Sequence, residues 1–182
     1  IFMAKKITVL TGSPRRGGNT DLLAEAFIKG AAAAGNEVFR FDTAALNIAP
    51  CVDCKYCFAN EGDCQQKDDM QEIYAALRQS DTLVFASPVY WFDFTAQIKL
   101  AIDRLYNSVG KQYPIKECAL LLACANPDGR VADGAITTYQ GICKYFSWQN
   151  LGIILQSGVA DKGAVNGKDS LVKAKELGES IK

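Results

Sequence analysis

Histidine is absent from this sequence, in which 20 basic residues balance 20 acidic ones. Because histidine is the usual proton shuttle near neutral pH and the commonest metal ligand, its absence excludes Ser-His-Asp hydrolysis, Cys-His catalysis and zinc sites built on histidine. The charge balance predicts no nucleic-acid partner and no anionic membrane surface, since both favour a clustered basic face. What remains is acid and base chemistry by other side chains, metal binding by thiolates, or the chemistry of a bound cofactor.

Long apolar runs are also missing. The longest include residues 83–86 and 119–125, far short of the roughly 20 residues that cross a bilayer, so we expect a soluble protein with no membrane partner. No basic segment leads an apolar stretch of signal-peptide length near the first residue, and we expect a cytoplasmic protein whose natural start is Met3. The length of 182 residues predicts one domain over 1–182.

Short apolar or β-branched runs alternate with helical patterns along the chain. Two of the runs are apolar throughout, which is typical of strands buried on both faces of a parallel sheet. The pattern predicts an α/β fold, with one doubly wound, five-stranded parallel sheet and helices on both faces. Strands are predicted at residues 5–10, 37–41, 82–86, 118–124 and 151–155. Helices are predicted at about 19–35, 68–77, 95–106, 134–148 and 170–181. The predicted N-cap of the first helix is Asn19, and that of the second is Asp68 or Asp69.

The loop after the first strand has the composition of an anion site. Residues 11–20 supply hydroxyls, two guanidinium groups and small residues whose N–H groups can turn inward at a helix N-terminus. The loop matches neither GxGxxG nor the P-loop pattern, so a single terminal phosphate suits it better than a dinucleotide. Asp21 partly opposes an anion, and Arg15 and Arg16 offset it. The alternative is a surface turn with two solvated arginines.

Two segments carry a resemblance to a known family. Gly-Ser-Pro-Arg-Arg-Gly-Gly-Asn-Thr at 12–20 and Ala-Ser-Pro-Val-Tyr-Trp at 86–91 resemble the FMN phosphate loop and isoalloxazine loop of the flavodoxin-like NAD(P)H-dependent FMN reductases, and the resemblance extends roughly to Arg104. It implies a flavodoxin-like fold, FMN as cofactor and NAD(P)H as donor. By position it implies that the phosphate is held by Ser13, Arg15, Arg16, Asn19 and Thr20, and that the ring is lined by Pro88, Val89, Tyr90 and Trp91 and contacted by Asn126.

The aromatic residues of the second segment agree with a flavin site. A flavin needs a flat apolar slot, and Tyr90, Trp91 and Phe92 offer aromatic faces at a strand's end. They also suit the core or a dimer interface, and both interpretations can hold together. Exposed aromatics beside an open flavin predict a homodimer or higher homo-oligomer.

Seven cysteines are present, and four of them fall in one segment at about 49–67. This use of cysteine favours metal or redox chemistry over a disulfide framework. Spacings of two, two and six residues resemble a 4Fe–4S loop more than a zinc site. The segment is also similar to the cysteine motif of iron–sulfur flavoproteins, with their Asp-Asp-Met at 68–70, and this resemblance implies the ligands Cys51, Cys54, Cys57 and Cys64. A dithiol without metal, or zinc, remains an alternative.

The other candidate groups have structural interpretations. Cys118, Cys124 and Cys143 fall at apolar positions and are predicted to be small buried hydrophobes. Asp103 and Arg104 lie at a helix end and are predicted to form a solvated ion pair.

Together these features predict an FMN-dependent oxidoreductase that transfers hydride from a nicotinamide to flavin and on to a small-molecule or protein electron acceptor. No catalytic side chain is expected, because FMN carries the chemistry. One alternative is an iron–sulfur flavoprotein that passes electrons between carrier proteins through a 4Fe–4S cluster and FMN. Another is a non-catalytic flavin-binding electron carrier, which the balanced charge disfavours because carriers dock through a charged face.

Overall fold

Five parallel strands form one sheet in the computed structural model, which describes residues 4–182. The strand order is β2-β1-β3-β4-β5, as predicted for a doubly wound, flavodoxin-like sheet. Met3, the expected natural start, lies outside the described residues. The strands are β1 (Lys6–Thr11), β2 (Glu37–Asp42), β3 (Thr82–Pro88), β4 (Glu117–Ala123) and β5 (Gln149–Gln156).

Helices cover both faces of the sheet, because alternate side chains of each strand point to opposite sides. Leu10, Phe85 and Leu120 pack in one apolar cluster with three helices, while Val9 and Val84 pack in a second cluster with two others. The first set is α3 (Met70–Leu77), α4 (Ala96–Arg104) and α5 (Asp133–Phe146), and the second is α1 (Asn19–Ala33) and α6 (Asp169–Glu179). The predicted fold class is therefore confirmed.

The segment between β2 and α3 contains structure that the sequence did not indicate. A 3-10 turn covers Thr43–Ala45, and the four-residue helix α2 covers Tyr56–Ala59, inside the predicted cysteine loop. The helix predicted to reach residue 106 ends at Arg104 and continues as a 3-10 turn over Leu105–Val109, within the usual disagreement over helix ends. No helix within residues 4–182 is long and apolar enough to cross a membrane.

The carboxyl ends of four strands meet at one edge of the sheet. The N–H of Gly12, just after β1, donates to Ala86 O of β3 at 2.8 Å, and the N–H of Val89, just after β3, donates to Ala123 O of β4 at 2.9 Å. Ala123 is in turn paired with Gln156 of β5. The loops that follow these strands are therefore neighbours in space.

Candidate functional site

A cavity of about 300 Å³ opens at this edge of the sheet. Its lining comes from the loop after β1, the start of α1, and the loops after β3, β4 and β5. Most of the residues predicted to bind FMN are brought together here. Those that line it are Ser13, Arg15, Asn19, Thr20, Pro88, Val89 and Tyr90.

The loop after β1 leaves several N–H groups without an acceptor. Gly17 adopts a φ of 66°, and its N–H donates to Asp21 Oδ2 at 2.6 Å. Within residues 4–182, the N–H groups of Ser13, Asn19 and Thr20 have no acceptor. Unpaired N–H groups at the start of a long helix form a binding site for an anion.

Two side-chain cations reach this loop without a carboxylate partner. Arg15 and Lys162 both line the cavity, and no carboxylate oxygen of the described residues lies within 4.0 Å of either cation. Lys162 extends over the loop, because a Cβ atom built on Gly17 would lie 3.5 Å from its Nζ. The cavity is therefore lined both by uncompensated positive charge and by the residues whose N–H groups are unpaired.

Arg16 is directed elsewhere. It forms an ion pair with Asp42 at the end of β2 and does not line the cavity. Arg40 bridges Asp42 and Asp21, so the carboxylate of Asp21 is neutralised locally instead of opposing an anion. Burial alone would raise the pKa of Asp42, but hydrogen bonds from Thr11 and Arg40 and the charge of both arginines lower it below its usual value.

Asn19 has a role that its predicted capping position did not suggest. The N-cap of α1 is Gly18, with Asn19 as the first helical residue. The Asn19 Nδ2 donates to Val159 O at 3.1 Å and Asp161 O at 2.9 Å, and its Oδ1 accepts from Val165 N at 3.1 Å. Its side chain therefore fixes the loop that carries Lys162, and only its backbone N–H is free for an anion.

The aromatic segment after β3 is a tight turn. Tyr90 and Asp93 exchange two backbone hydrogen bonds, of 2.9 and 3.2 Å, across Trp91 and Phe92. Both central residues have positive φ, 49° and 70°, a conformation that bulky side chains rarely adopt. Trp91 does not line the cavity, and 92% of its surface is exposed. Of the residues predicted to line the ring, Pro88, Val89 and Tyr90 line the cavity.

Asn126 also stays outside the cavity, because its Oδ1 accepts the N–H of Asp128 in the turn after β4. Sequence reasoning missed Cys124, Val159 and Lys162, which do line it. The available signal was topological: β5 also ends at this edge, so the loop after it belongs to the site as much as the loops after β1, β3 and β4.

The four clustered cysteines lie around a second, smaller cavity, at the base of the cysteine loop. All four line it, together with Tyr74 and Arg104; the cysteines are Cys51, Cys54, Cys57 and Cys64. Burial raises the pKa of the Cys57 thiol, and the three neighbouring thiols raise it further. Within the part of the chain that the structure describes, no three ligand side chains converge closely enough to hold a single metal ion.

The cysteine loop is fastened at both ends by a buried ion pair. Arg104 is 1% exposed, and its Nη1 donates to Asp68 Oδ2 at 2.8 Å and to Ala49 O at 2.9 Å. The predicted solvated pair of Asp103 and Arg104 is therefore wrong, since Asp103 pairs with Lys99. Adjacent helical residues point about 100° apart, so Arg104 faces inward while Asp103 faces solvent.

The other three cysteines are buried, as predicted. Cys118, Cys124 and Cys143 are at most 7% exposed. The Cys118 and Cys143 sulfurs lie 2.8 Å apart, between β4 and α5.

Comparison with known proteins identifies the family. The sequence model of NADPH-dependent FMN reductases matches residues 5–133, which include the loops after β1 and β3 and the cysteine loop. The chain belongs to this family. The predicted relationship is therefore confirmed.

Several relatives with curated descriptions are named iron–sulfur flavoproteins. An iron–sulfur flavoprotein from Archaeoglobus fulgidus is 38% identical over 100 residues, covering 55% of this chain and 45% of the relative. An iron–sulfur flavoprotein from Methanocaldococcus jannaschii is 32% identical over 142 residues, covering 78% of this chain and 71% of the relative. The chain thus spans less than half of the first relative's length and more than two thirds of the second's.

Solved structures share the fold at low identity. An NAD(P)H:quinone oxidoreductase from Methanothermobacter marburgensis superposes with a TM-score of 0.77 at 18% identity, covering 97% of this chain and 96% of that one. An azoreductase from Bacillus anthracis gives 0.73 at 17% identity, covering 98% and 100%. At such identities the likeness supports the flavodoxin-like fold alone.

Proposed function

We propose that the protein is an FMN-dependent oxidoreductase that takes hydride from NAD(P)H and passes electrons to a small-molecule or protein acceptor. The observation that carries this proposal is the cavity at the carboxyl edge, where free N–H groups and two cations lie at one end and apolar walls at the other. When bound, FMN supplies hydride acceptance and onward electron transfer. The chain's own residues bind and orient it.

The donor set of the cavity suits FMN. The N–H groups of Ser13, Asn19 and Thr20, with Arg15 and Lys162, would hold the terminal phosphate. Pro88, Val89 and Tyr90 would lie against the isoalloxazine ring, because flat apolar surfaces with a few polar groups are what such a ring requires.

The first experiment is an absorbance spectrum of anaerobically purified protein, followed by NADPH or NADH addition. We expect about one FMN released per chain on denaturation, and bleaching of the flavin band when the nicotinamide is added. A protein that takes up no FMN even when reconstituted would contradict the proposal. Flavin binding without nicotinamide oxidation would instead favour the non-catalytic electron carrier.

Removing the two unpaired cations together should weaken FMN binding. For Arg15→Ala/Lys162→Ala we expect the Kd of FMN to rise roughly 10- to 100-fold, since charge-assisted hydrogen bonds contribute about 1.5–3 kcal/mol each and partly compensate for one another. Fluorescence titration of apoprotein measures the change. Arg16→Ala, which removes a cation already paired with Asp42, should change the Kd by less than about threefold. A larger effect of Arg16→Ala than of the double variant would overturn this assignment of the phosphate ligands.

A second redox group is favoured by the arrangement of the cysteine loop. Four thiols line one small cavity, and a 4Fe–4S cluster takes one thiolate on each of four irons. Cys51, Cys54, Cys57 and Cys64 would hold it, and it would supply single-electron transfer. Iron and sulfide analysis tests this: about four irons per chain are expected, lost in Cys54→Ala with FMN retained. Zinc in place of iron, or neither metal, would establish one of the other two interpretations of the loop.

We also propose that two copies of the chain pair next to the FMN cavity. Trp91 and Phe92 directly follow Tyr90, which lines the cavity, and they are 92% and 58% exposed; exposed aromatics beside a site mark an interface. Light scattering of the FMN-loaded protein should return a dimer mass or a larger one, and Trp91→Glu/Phe92→Glu should shift it toward the monomer. A monomer mass for the unmodified protein would refute this.

A further inference from the structure

Arg104, the last residue of α4, makes an unusual set of contacts. Its side chain is one of the largest fully buried ones, and it contacts both α3 and the segment between β2 and α3. Nε donates to the Tyr74 hydroxyl of α3 at 3.1 Å, and Nη1 donates to Ala49 O before the first cysteine. Nη2 donates to the Sγ of Cys64, the last of the four clustered cysteines, at 3.4 Å.

Asp68 balances the charge that this burial introduces. Its carboxylate accepts from both terminal nitrogens of Arg104, at 2.8 and 3.2 Å, and from the N–H groups of Ala49 and Met70. A planar guanidinium can make this two-point contact and still direct a donor at a sulfur, whereas an ammonium group cannot. The pair therefore ties the two ends of the cysteine loop together beside one of its thiols.

We propose that Arg104 is a positioning residue of the cluster site: it holds the Cys64 side chain at the cavity that the four cysteines line and directs a hydrogen bond at its sulfur. This inference rests on the proposed cluster only for its redox consequence. The contact itself is a property of the chain. Hydrogen bonds to ligand sulfurs raise the reduction potential of iron–sulfur clusters, so the guanidinium would hold the potential higher than four thiolates alone would.

The variants separate the hydrogen bond from the charge. Arg104→Lys keeps the positive charge but loses the planar set of guanidinium donors. Asp68→Leu/Arg104→Met replaces the buried ion pair by apolar groups, which a buried site tolerates better than the loss of one partner. Lys99→Met removes an exposed cation from the same helix and is the matched control. FMN content reports in each case whether the sheet and its cavity have folded.

Two readouts test the inference. In the iron-loaded protein, both Arg104 variants should shift the cluster's midpoint potential to more negative values and change its electron paramagnetic resonance spectrum, with the Lys99 variant unchanged. In the metal-free protein, alkylation of Cys64 by iodoacetamide, followed by peptide mass spectrometry, should be several-fold faster in the Arg104 variants, while alkylation of exposed Cys51 is unchanged.

An unchanged Cys64 alkylation rate in an FMN-loaded Arg104 variant would overturn the positioning role, whatever the metal content. An unchanged potential with faster alkylation would overturn the hydrogen bond's redox effect alone. Unmodified protein that holds no iron after anaerobic reconstitution would contradict the proposed cluster instead, and the alkylation rates would still decide the contact.

Discussion

Asp68→Asn should lower the free energy of unfolding by about 3–5 kcal/mol, because it removes one partner of a buried ion pair and leaves the other uncompensated. Arg104 is 1% exposed and Asp68 10%, so water cannot replace the lost carboxylate. Asparagine keeps the size of the side chain but cannot balance the guanidinium charge. Urea unfolding followed by circular dichroism measures the loss.

Asp103→Asn is the matched control, one residue before Arg104 in the same helix. Asp103 pairs with Lys99 on the surface, where the two side chains are 49% and 42% exposed, and exposed pairs contribute about 0.5 kcal/mol or less at this spacing. Equal effects of the two substitutions would mean that the Asp68–Arg104 pair does not hold the cysteine loop.

The same pair sets a pH dependence. Burial alone would raise the pKa of Asp68, but hydrogen bonds from Arg104 and Ala49 and the charge of Arg104 lower it below its usual value. A carboxyl group whose pKa is lowered by folding stabilises the protein above its unfolded pKa of about 3.9, and this contribution is lost as the pH falls through the folded pKa. The stability difference between the unmodified protein and Asp68→Asn should therefore narrow below about pH 4.

Gly110→Ala should destabilise the protein by about 1–3 kcal/mol or more and loosen the cysteine loop, because the added methyl group has no space. A Cβ atom at this position would lie 2.0 Å from Cys57 O and 2.7 Å from Gly62 N. Both are backbone atoms of the loop, and Gly62 N already donates to Cys57 O at 3.0 Å. The loop must move to accept the alanine, so faster alkylation of Cys57 and loss of any bound iron are expected along with lower stability.

Gly141→Ala gives the comparison, since the substitution is the same and the surroundings are open. Gly141 lies within α5, and no described atom lies within 4 Å of a Cβ atom built there apart from its own helix backbone and chain neighbours. Alanine is favoured over glycine inside a helix by about 0.5–1 kcal/mol, so this variant should gain stability. If Gly110→Ala also unfolds at higher urea than the unmodified protein, the close packing on Cys57 is not present in solution.

The sheet could be predicted because its signals are local. Val84 and Phe85 lie in the apolar run 83–86 of β3, and helical spacing marks the buried face of α3. Neither element needed distant contacts to be predicted. The loops after β1 and β3 were placed at one site because parallel strands end at the same edge. That placement also predicts that the backbone N–H groups of the first loop and the apolar residues Pro88–Tyr90 of the second line the same site.

Distant partners explain what sequence reasoning missed at the FMN cavity. The side chain of Asn19 binds backbone atoms 140 and more positions away, and these contacts bring Lys162 over the phosphate loop. Arg16 forms an ion pair with Asp42 on the neighbouring strand. In the sequence it lies beside Arg15 and is an equally good candidate to bind a phosphate. Neither contact can be predicted before the positions of β2 and of the loop after β5 are known.

The sequence by itself determined the α/β fold, the edge of the sheet that carries the site, and the absence of histidine-based chemistry, because residue type and short-range periodicity suffice for each. Only the tertiary structure decided which charges are free and which are buried. Arg104 and Asp103 are neighbours in the chain, yet one is buried by partners 36 and 55 positions away and the other stays on the surface. A buried charge is tolerated only where its counter-charge and hydrogen-bond acceptors converge, and that convergence is a property of the folded chain.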